Sequence, residues 1–478
     1  MELHGRRKIY TMAKDITRDN VLNELSKALS IHMLNVAEED YLYWYRRGIQ
    51  PVLEREKEIR PEICNKVVVN NAHLVVTFKN GYFLTKPANY VSRTKDEAKT
   101  KAVSQLNEYL YLSGKHDADN QVVDWFHTVG VGALFVASTP QTDTEPCKAY
   151  ALDPRSAFCV YSFNPGNPTV FGVNVVVNDG KAYVDVYSKT RIFHIESQNV
   201  EGEETPPMPP LKPIFYTVVT EEPNYLGEIP IIEYEYNTNR MGAFEVAIPL
   251  MDAINNTESN RQDGIEQFIQ SLMVLYNCEL EEGVTANTIR KNGMILLKNV
   301  GDNKADVKII SEALDQAQTQ TTLDDLYEQM LEKCGVPSSV RDAGSTSDNV
   351  GAVYLRSGWA MADTDARNTE DNFKRANKLF DKIFTKIIAI KKGLKVDAAD
   401  IDLCFARNSM QNILVKSQSA LNMKELGFAP EIAFERSGLS NDPLTDIEVS
   451  KDYIAKKWDV NDKIEEVEVS KVGETLNE

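Results

Sequence analysis

Residues 314–393 read LDQAQTQTTLDDLYEQMLEKCGVPSSVRDAGSTSDNVGAVYLRSGWAMADTDARNTEDNFKRANKLFDKIFTKIIAIKKG: a helix, a polar loop, then one very long helix. Leu323, Leu326, Tyr327, Met330, Leu331 and Cys334 recur at helical spacing, with Thr322 and Asp325 placed as a capping box near the front. Gly335 and Pro337 stop that helix. Residues 338–352 have no apolar period and carry the Gly, Ser, Asp and Asn of a loop. Beyond them Leu355, Trp359, Ala362, Ala366, Thr369, Phe373, Ala376, Phe380, Ile383, Ile387 and Ile390 follow one seam, closed by Lys391, Lys392 and Gly393. A helix over 353–392 runs about 60 Å at 1.5 Å per residue. This suits a mechanical part better than an enzyme pocket.

The rest of the chain alternates element types. Helical patterns occupy 18–47, 95–112 (with a Thr94–Glu97 capping box) and 119–129. Val67–Phe78 is β-branched and reads as strand, broken at Asn70–Asn71. Gly130–Gly132 leads into a strand ending near Ala137. A meander follows over 170–177, 182–187 and 192–196, its first turn made by Asp179–Gly180. Residues 205–213, TPPMPPLKP, form an extended loop. A helix is expected from Glu245 to Tyr276 with apolar ends, but Asn255–Gly264 is polar on every face. Such a segment bridges solvent or packs on another polar surface. Residues 277–310 read as a short α/β segment, Ile401–Phe405 as a strand, and 409–458 as two or three small helices.

With 478 residues, 42% hydrophobic and 26% charged, the chain is long enough for two to four cores. The six cysteines lack CxxC spacing and the six histidines do not cluster. Reduced thiols, no zinc, and an intracellular setting without secretory signal or membrane span are expected. A net charge of −18 argues against sequence-specific DNA binding. Segment 311–334 carries six acids against Lys333, and 242–275 five acids against Arg261, while 276–310 between them is balanced. P-loop, HExxH, GxSxG and GxGxxG motifs are absent. A metal-dependent nuclease would draw on Asp252, Glu258 and Asp263 or on Asp324 and Asp325, yet their spacing is that of helix surfaces. His127 and His194 read as core histidines. Tyr41, Tyr43, Trp44 and Tyr45 read as a helix-packing patch rather than a base-stacking platform.

Four motifs in order give a resemblance. They are YWYRRGIQPVLER (Tyr43–Arg55), NNAHLVV (Asn70–Val76), GEIPIIEY (Gly227–Tyr234, then Asn237 and Asn239), and LMDAINNTESN (Leu250–Asn260). With the late helix–loop–helix, the chain resembles the siphophage-type portal proteins, the head–tail connectors of tailed double-stranded DNA phages, over about residues 40–460. One departure is Asn349-Val350-Gly351-Ala352, where the family usually has an S-G-x-A element.

The resemblance implies an α+β, portal-type fold assembled as a ring. The wing is 1–241 with 353–408, the stem helices 242–275 and 314–337, the clip 276–313, the tunnel loop 338–352 and the crown 409–458. An acidic tail, 459–478, follows. It implies a conduit at one capsid vertex, of twelve copies of the chain, through which DNA is packaged and later ejected. Implied partners are major capsid and scaffolding proteins, the terminase large subunit, a head–tail adaptor, and DNA contacted without sequence preference. No cofactor, metal, catalytic residue or membrane is implied; the setting is the virion, and the host cytoplasm during assembly. Arg341, Asp342, Ser345, Ser347, Asp348 and Asn349 become tunnel-loop residues. Glu258, Asp263, Asp324, Asp325 and Glu328 become channel-wall acids, and Arg290, Lys291, Lys298 and Lys304 clip contacts for terminase or adaptor. An acidic wall repels phosphates, so DNA slides without repeated binding. A minor capsid or adaptor protein without a channel is the alternative.

Overall fold

The computed structural model describes residues 4–197 (except 59, 85, 94–95, 141–142 and 179–180), 216–269, 272–276, 278–280, 297–299, 306–310, 316–338, 358–405, 413–439, 446–447, 450 and 453. The chain forms two compact units: residues 1–43, 73–246 and 334–478 in the first, 44–72 and 247–333 in the second.

In the first unit, β1 (Ile9–Thr11), β5 (Ala157–Ser162), β6 (Thr169–Asn178), β7 (Lys181–Ser188), β8 (Arg191–Ser197) and β9 (Tyr216–Pro223) form one sheet in that order. Only β1–β5 is parallel. The meander read from the sequence is its centre, in register Val173↔Val186↔Phe193. On β7 and β8 burial alternates, with Val184, Val186, Phe193 and Ile195 facing inward. Phe171, Val173 and Val175 of β6 are buried too, but β6 is buried on both faces over 170–173, where Ile231 packs against Gly172. Val21, Leu25, Ala28 and Leu29 of helix α1 (Val21–Arg46) join that core.

A three-stranded sheet, β10 (Ile231–Glu235), β3 (Val131–Ser138) and β4 (Cys147–Leu152), lies in the same unit. So does a pair made by β2 (Asn89–Ser92) and β15 (Ile401–Cys404). Helices α2 (Asn71–Phe83), α3 (Glu97–Leu112), α4 (Lys115–Val129) and α7 (Trp359–Lys392) carry much of the remaining core. On α7 the seam is real: Ala362, Ala366, Phe373, Phe380, Ile383 and Ile387 are buried. Phe373 lies among Phe83, Tyr234 and Phe405. Gly358 and Gly393 bound α7 with φ of 85° and 69°, left-handed values that favour glycine. Two small helices, α8 (Ile413–Glu425) and α9 (Pro430–Ser437), follow.

This unit also buries an ionic knot. Arg6 reaches Glu38 at 3.1 Å and Glu245 at 2.7 Å, and Arg240 holds Glu235 at 2.7 Å and pairs with Glu233. Beside them burial raises the Glu39 carboxyl to about 8 and lowers His32 to about 4.

Several expectations change. Val67–Phe78 is not a strand. Its second half is α2, because Ala72, Val75, Val76, Tyr82 and Phe83 form one buried helical face that overrides their β propensity. Asn70, at φ 52°, marks the break. The helix expected through Tyr276 ends at Ile269, and LMVLY (Leu272–Tyr276) is instead a strand with a partner at 306–310. The cap of α3 is Asp96, whose carboxylate accepts from the Ala98 amide. The helix expected from 119 begins at Lys115. Helix α7 starts at Trp359, giving about 51 Å for its 34 residues. Ile390 is exposed and Asn377 lies in the seam. His127 is buried, with Asn80 on its Nδ1, whereas His194 is half-exposed and faces Asp185 at 2.6 Å. The loop 205–213 and the tail 459–478 lie outside the described residues.

Candidate functional site: the two-helix unit and its strap

The second unit is built on α5 (Ile248–Ile269) and α6 (Gln316–Lys333). Ladders β11 (Leu272–Tyr276) with β14 (Asp306–Ile310) and β12 (Cys278–Leu280) with β13 (Leu297–Asn299) continue it. Leu323, Met330 and Leu331 are the buried stripe of α6, and Met251 and Ile254 are buried on α5. Helix α6 begins six residues before Thr322, whose hydroxyl donates to the Gln318 carbonyl inside the helix; it caps nothing.

The polar middle of α5 has a partner. After α1, residues 47–58 and 60–70 form a strap along it, and three strap amides donate to three α5 side chains. Asn65 N–H donates to Asp263 Oδ1 (2.6 Å), Val67 N–H to Ser259 Oγ (3.0 Å) and Val69 N–H to Asn255 Oδ1 (2.9 Å). Two residues of extended chain advance about 6.6 Å and four residues of α-helix about 6 Å. Polar side chains at i, i+4 and i+8 of a helix therefore present acceptors at nearly the repeat of a strand's amides. One face of α5 does for the strap what a neighbouring strand would do. Asn255 Nδ2 donates in turn to Gln50 Oε1 at 2.5 Å, and Tyr45 Oη donates to Asp252 Oδ1 at 2.8 Å.

Asp263 is where this interface concentrates charge. Arg55 Nη1 and Lys57 Nζ each lie 2.8 Å from its Oδ2, and Asn65 donates twice to Oδ1. Burial by itself would raise this carboxyl. The Lys57, Asn65 and Arg55 hydrogen bonds outweigh it and hold the group at about 2. Asp263, expected on a channel wall, is thus buried and neutralised within its own unit, and that expectation is corrected.

The other acids stand differently. Asp324 and Asp325 are exposed on α6; Asp324 accepts from Gln320 Nε2 at 2.7 Å. Glu258 and Glu328 are half-buried, and Glu258 is 3.7 Å from Arg261, which donates to Gln320 on α6. On a helical wheel Arg261 lies opposite the 255–259–263 face, so strap and α6 take opposite sides of α5. The acids considered for a nuclease do not gather into a group able to hold a metal, and there is no such group among the described residues. Arg341, Asp342, Ser345, Ser347, Asp348 and Asn349 lie outside the described residues, as do Arg290, Lys291 and Lys304. Lys298 sits on β13, opposite Glu279 in register.

The aromatic patch divides. Tyr45 is fully buried beside α5, whereas Tyr43, in the first unit, stacks on Trp125 with the Arg155 guanidinium 4.1 Å from its ring centre. For Tyr43 and Tyr45 this is the packing expected of them; Trp44 is exposed. Arg55 closes the first motif read from the sequence, whereas Lys57 and Asn65, its fellow partners of Asp263, are not singled out by the sequence alone. The polar face of α5 signals that a partner is needed, but no local pattern marks a partner 198 residues earlier in the chain.

A family model described as phage portal protein, SPP1 Gp6-like, matches residues 29–454. No curated protein matches the chain.

Proposed function

We propose, from the premise that this chain belongs to the phage portal protein family, SPP1 Gp6-like, that its second unit is the stem of a DNA-conducting ring. The protein is a phage portal: the channel through which the genome is packaged and leaves, and the connection of head to tail, follow from the family. The observation that carries this is a family match spanning nearly the whole chain. The family is structural, and the described residues give no positive sign of catalysis.

The finer reading is ours. Copies of the chain form a closed ring of twelve at one capsid vertex, in contact with capsid and scaffolding proteins, terminase and a head–tail adaptor. Residues 242–275 and 314–337 are stem, 276–313 clip, 338–352 tunnel loop, and 409–458 crown. Asp324, Asp325, Glu328 and Glu258 supply the negative wall, with Asp263 set aside as strap anchor. Exposure of Asp324 and Asp325 supports this. A wall of that sign keeps phosphate contacts brief, so DNA moves rather than binds. Arg341 is the loop cation that touches passing phosphates, and Arg290, Lys291, Lys298 and Lys304 face terminase or adaptor.

Deleting 341–350 tests the loop. Rings are expected to assemble normally while DNA packaging fails. Failure of the ring itself would show that these residues belong to the assembly contacts instead.

A further inference from the structure

Two stretches of the first unit that residues 338–357 separate in sequence come together at one point. A Cβ at Gly358 would stand 3.7 Å from the Pro337 Cα, so the backbones at the two ends touch. On the outgoing side Cys334 and Val336 are buried, and on the returning side Ala362, Asp363 and Ala366 are. Holding together the ends of so long a segment costs chain entropy, which contacts at its base must offset.

Those contacts come from one turn of α2. The rings of Phe78 and Tyr82 are stacked, and their centres lie 6.0 and 5.9 Å from that of Trp359, the first residue of α7. Tyr82 Oη also donates to Asp363. Lys79, between them in sequence, serves both ends. Its Nζ is 2.6 Å from Asp365 Oδ2 on the returning side, and would lie 3.3 Å from a Cβ at Gly335 on the outgoing side. The Cys334 thiol senses the same meeting: burial pushes it up to about 12, with the Lys79 charge opposing and the Asp365 charge adding. Asn80 instead ties α2 to α4, donating to Asp124 at 2.6 Å and meeting His127 Nδ1 at 2.7 Å. The turn that grips both ends is thus itself fixed to a neighbouring helix.

We propose that residues 78–82 of α2 are a shared clamp that holds the two ends of 338–357 as one body. Phe78, Lys79 and Tyr82 are then positioning residues for the passage of DNA, a role that rests on the reading of 338–352 as the tunnel loop. Ordinary packing would hold each end separately; a shared clamp makes loosening of one end loosen the other.

Hydrogen exchange read by mass spectrometry on full-length rings tests this, alongside DNA packaging. Trp359→Ala changes the returning side alone, yet amides over 334–338 are expected to exchange about tenfold faster as well. Trp359→Phe, which keeps a ring there, should restore most of the protection. Asp365→Asn removes the Lys79 counter-charge with little change of shape, and repeats the test if Trp359→Ala does not fold. The loosened variants should still form rings and should lose packaging. Faster exchange confined to the substituted side would overturn the proposal, as would normal packaging in these variants when deletion of 341–350 abolishes it. If that deletion leaves packaging intact, the tunnel-loop reading falls instead, and the exchange result alone decides for or against the clamp.

Discussion

Two long helices, α5 and α7, are each buried along one side, and by opposite means. Helix α7 lies in the first unit and is held by Phe373, Phe380, Ile383, Phe384 and Ile387, all but sealed from solvent. Helix α5 is covered along its middle by Asn255, Ser259 and Asp263, which bond a strap rather than an apolar core. The same contrast separates two aspartates. Asp381 on α7 accepts from Tyr90 Oη and Asn377 Nδ2, yet burial lifts it to about 6, whereas Asp263 sits at about 2. An apolar seam tolerates a carboxylate poorly; a strap that brings two cations and a backbone donor to one point requires one. Along α7 stability comes chiefly from area removed from water, along the middle of α5 from polar groups that must all stay paired.

The largest expected effect is on the apolar side. Phe373→Ala should cost about 3–5 kcal/mol in denaturant unfolding, through lost transfer energy and a cavity. Asp263→Ala should cost about 3 kcal/mol, because Arg55, Lys57 and the Asn65 amide lose their acceptor. An effect under about 0.5 kcal/mol would break the contrast, showing the strap to be held by something else. Limited proteolysis should then cut Asp263→Ala within 55–70 first, and Phe373→Ala elsewhere.

Acid titration separates the two aspartates by sign. Asp381 has a folded value above the ordinary 3.8, so the folded state binds its proton more readily. Its contribution therefore improves as pH falls from about 7 through about 6 and levels off near about 4. Asp263 is depressed, so its stabilisation is full above about 4 and is lost as pH falls toward about 2. Asp381→Asn should make the upper limb of a melting-temperature profile shallower, leaving the slope that the raised Glu39 carboxyl adds there, and should leave the lower limb unchanged. The same slope in both proteins between about pH 4 and 7 would contradict the burial argument for Asp381. The smallest effect is Ser259→Ala, about 1 kcal/mol, since one strap amide loses one acceptor.

The same contrast explains what can be read from the amino acids. The seam on α7, the meander and the glycine at 393 announce themselves, because helical period, strand alternation and turn chemistry are local. The polar face of α5 is visible as an anomaly, and only a polar partner satisfies it. That the partner is the strap is not visible: its residues follow no regular period, and the commensurate spacing of 65, 67, 69 with 263, 259, 255 emerges only once both are in place. For the same reason Asp263 reads as a wall acid. Short apolar runs mislead where long seams do not. Val75 and Val76 sit on a buried helical face although their composition favours strand. Likewise Leu272–Tyr276 continues a helical pattern in sequence and becomes a strand because 306–310 pairs with it.

The central claim is that copies of this chain close into a ring with an open centre. Native mass spectrometry of the purified full-length protein, with negative-stain imaging of the same sample, tests it most directly. The account predicts a single large species of about a dozen copies, annular in projection. A chain that stays monomeric or dimeric even with its capsid and scaffolding proteins present would contradict it.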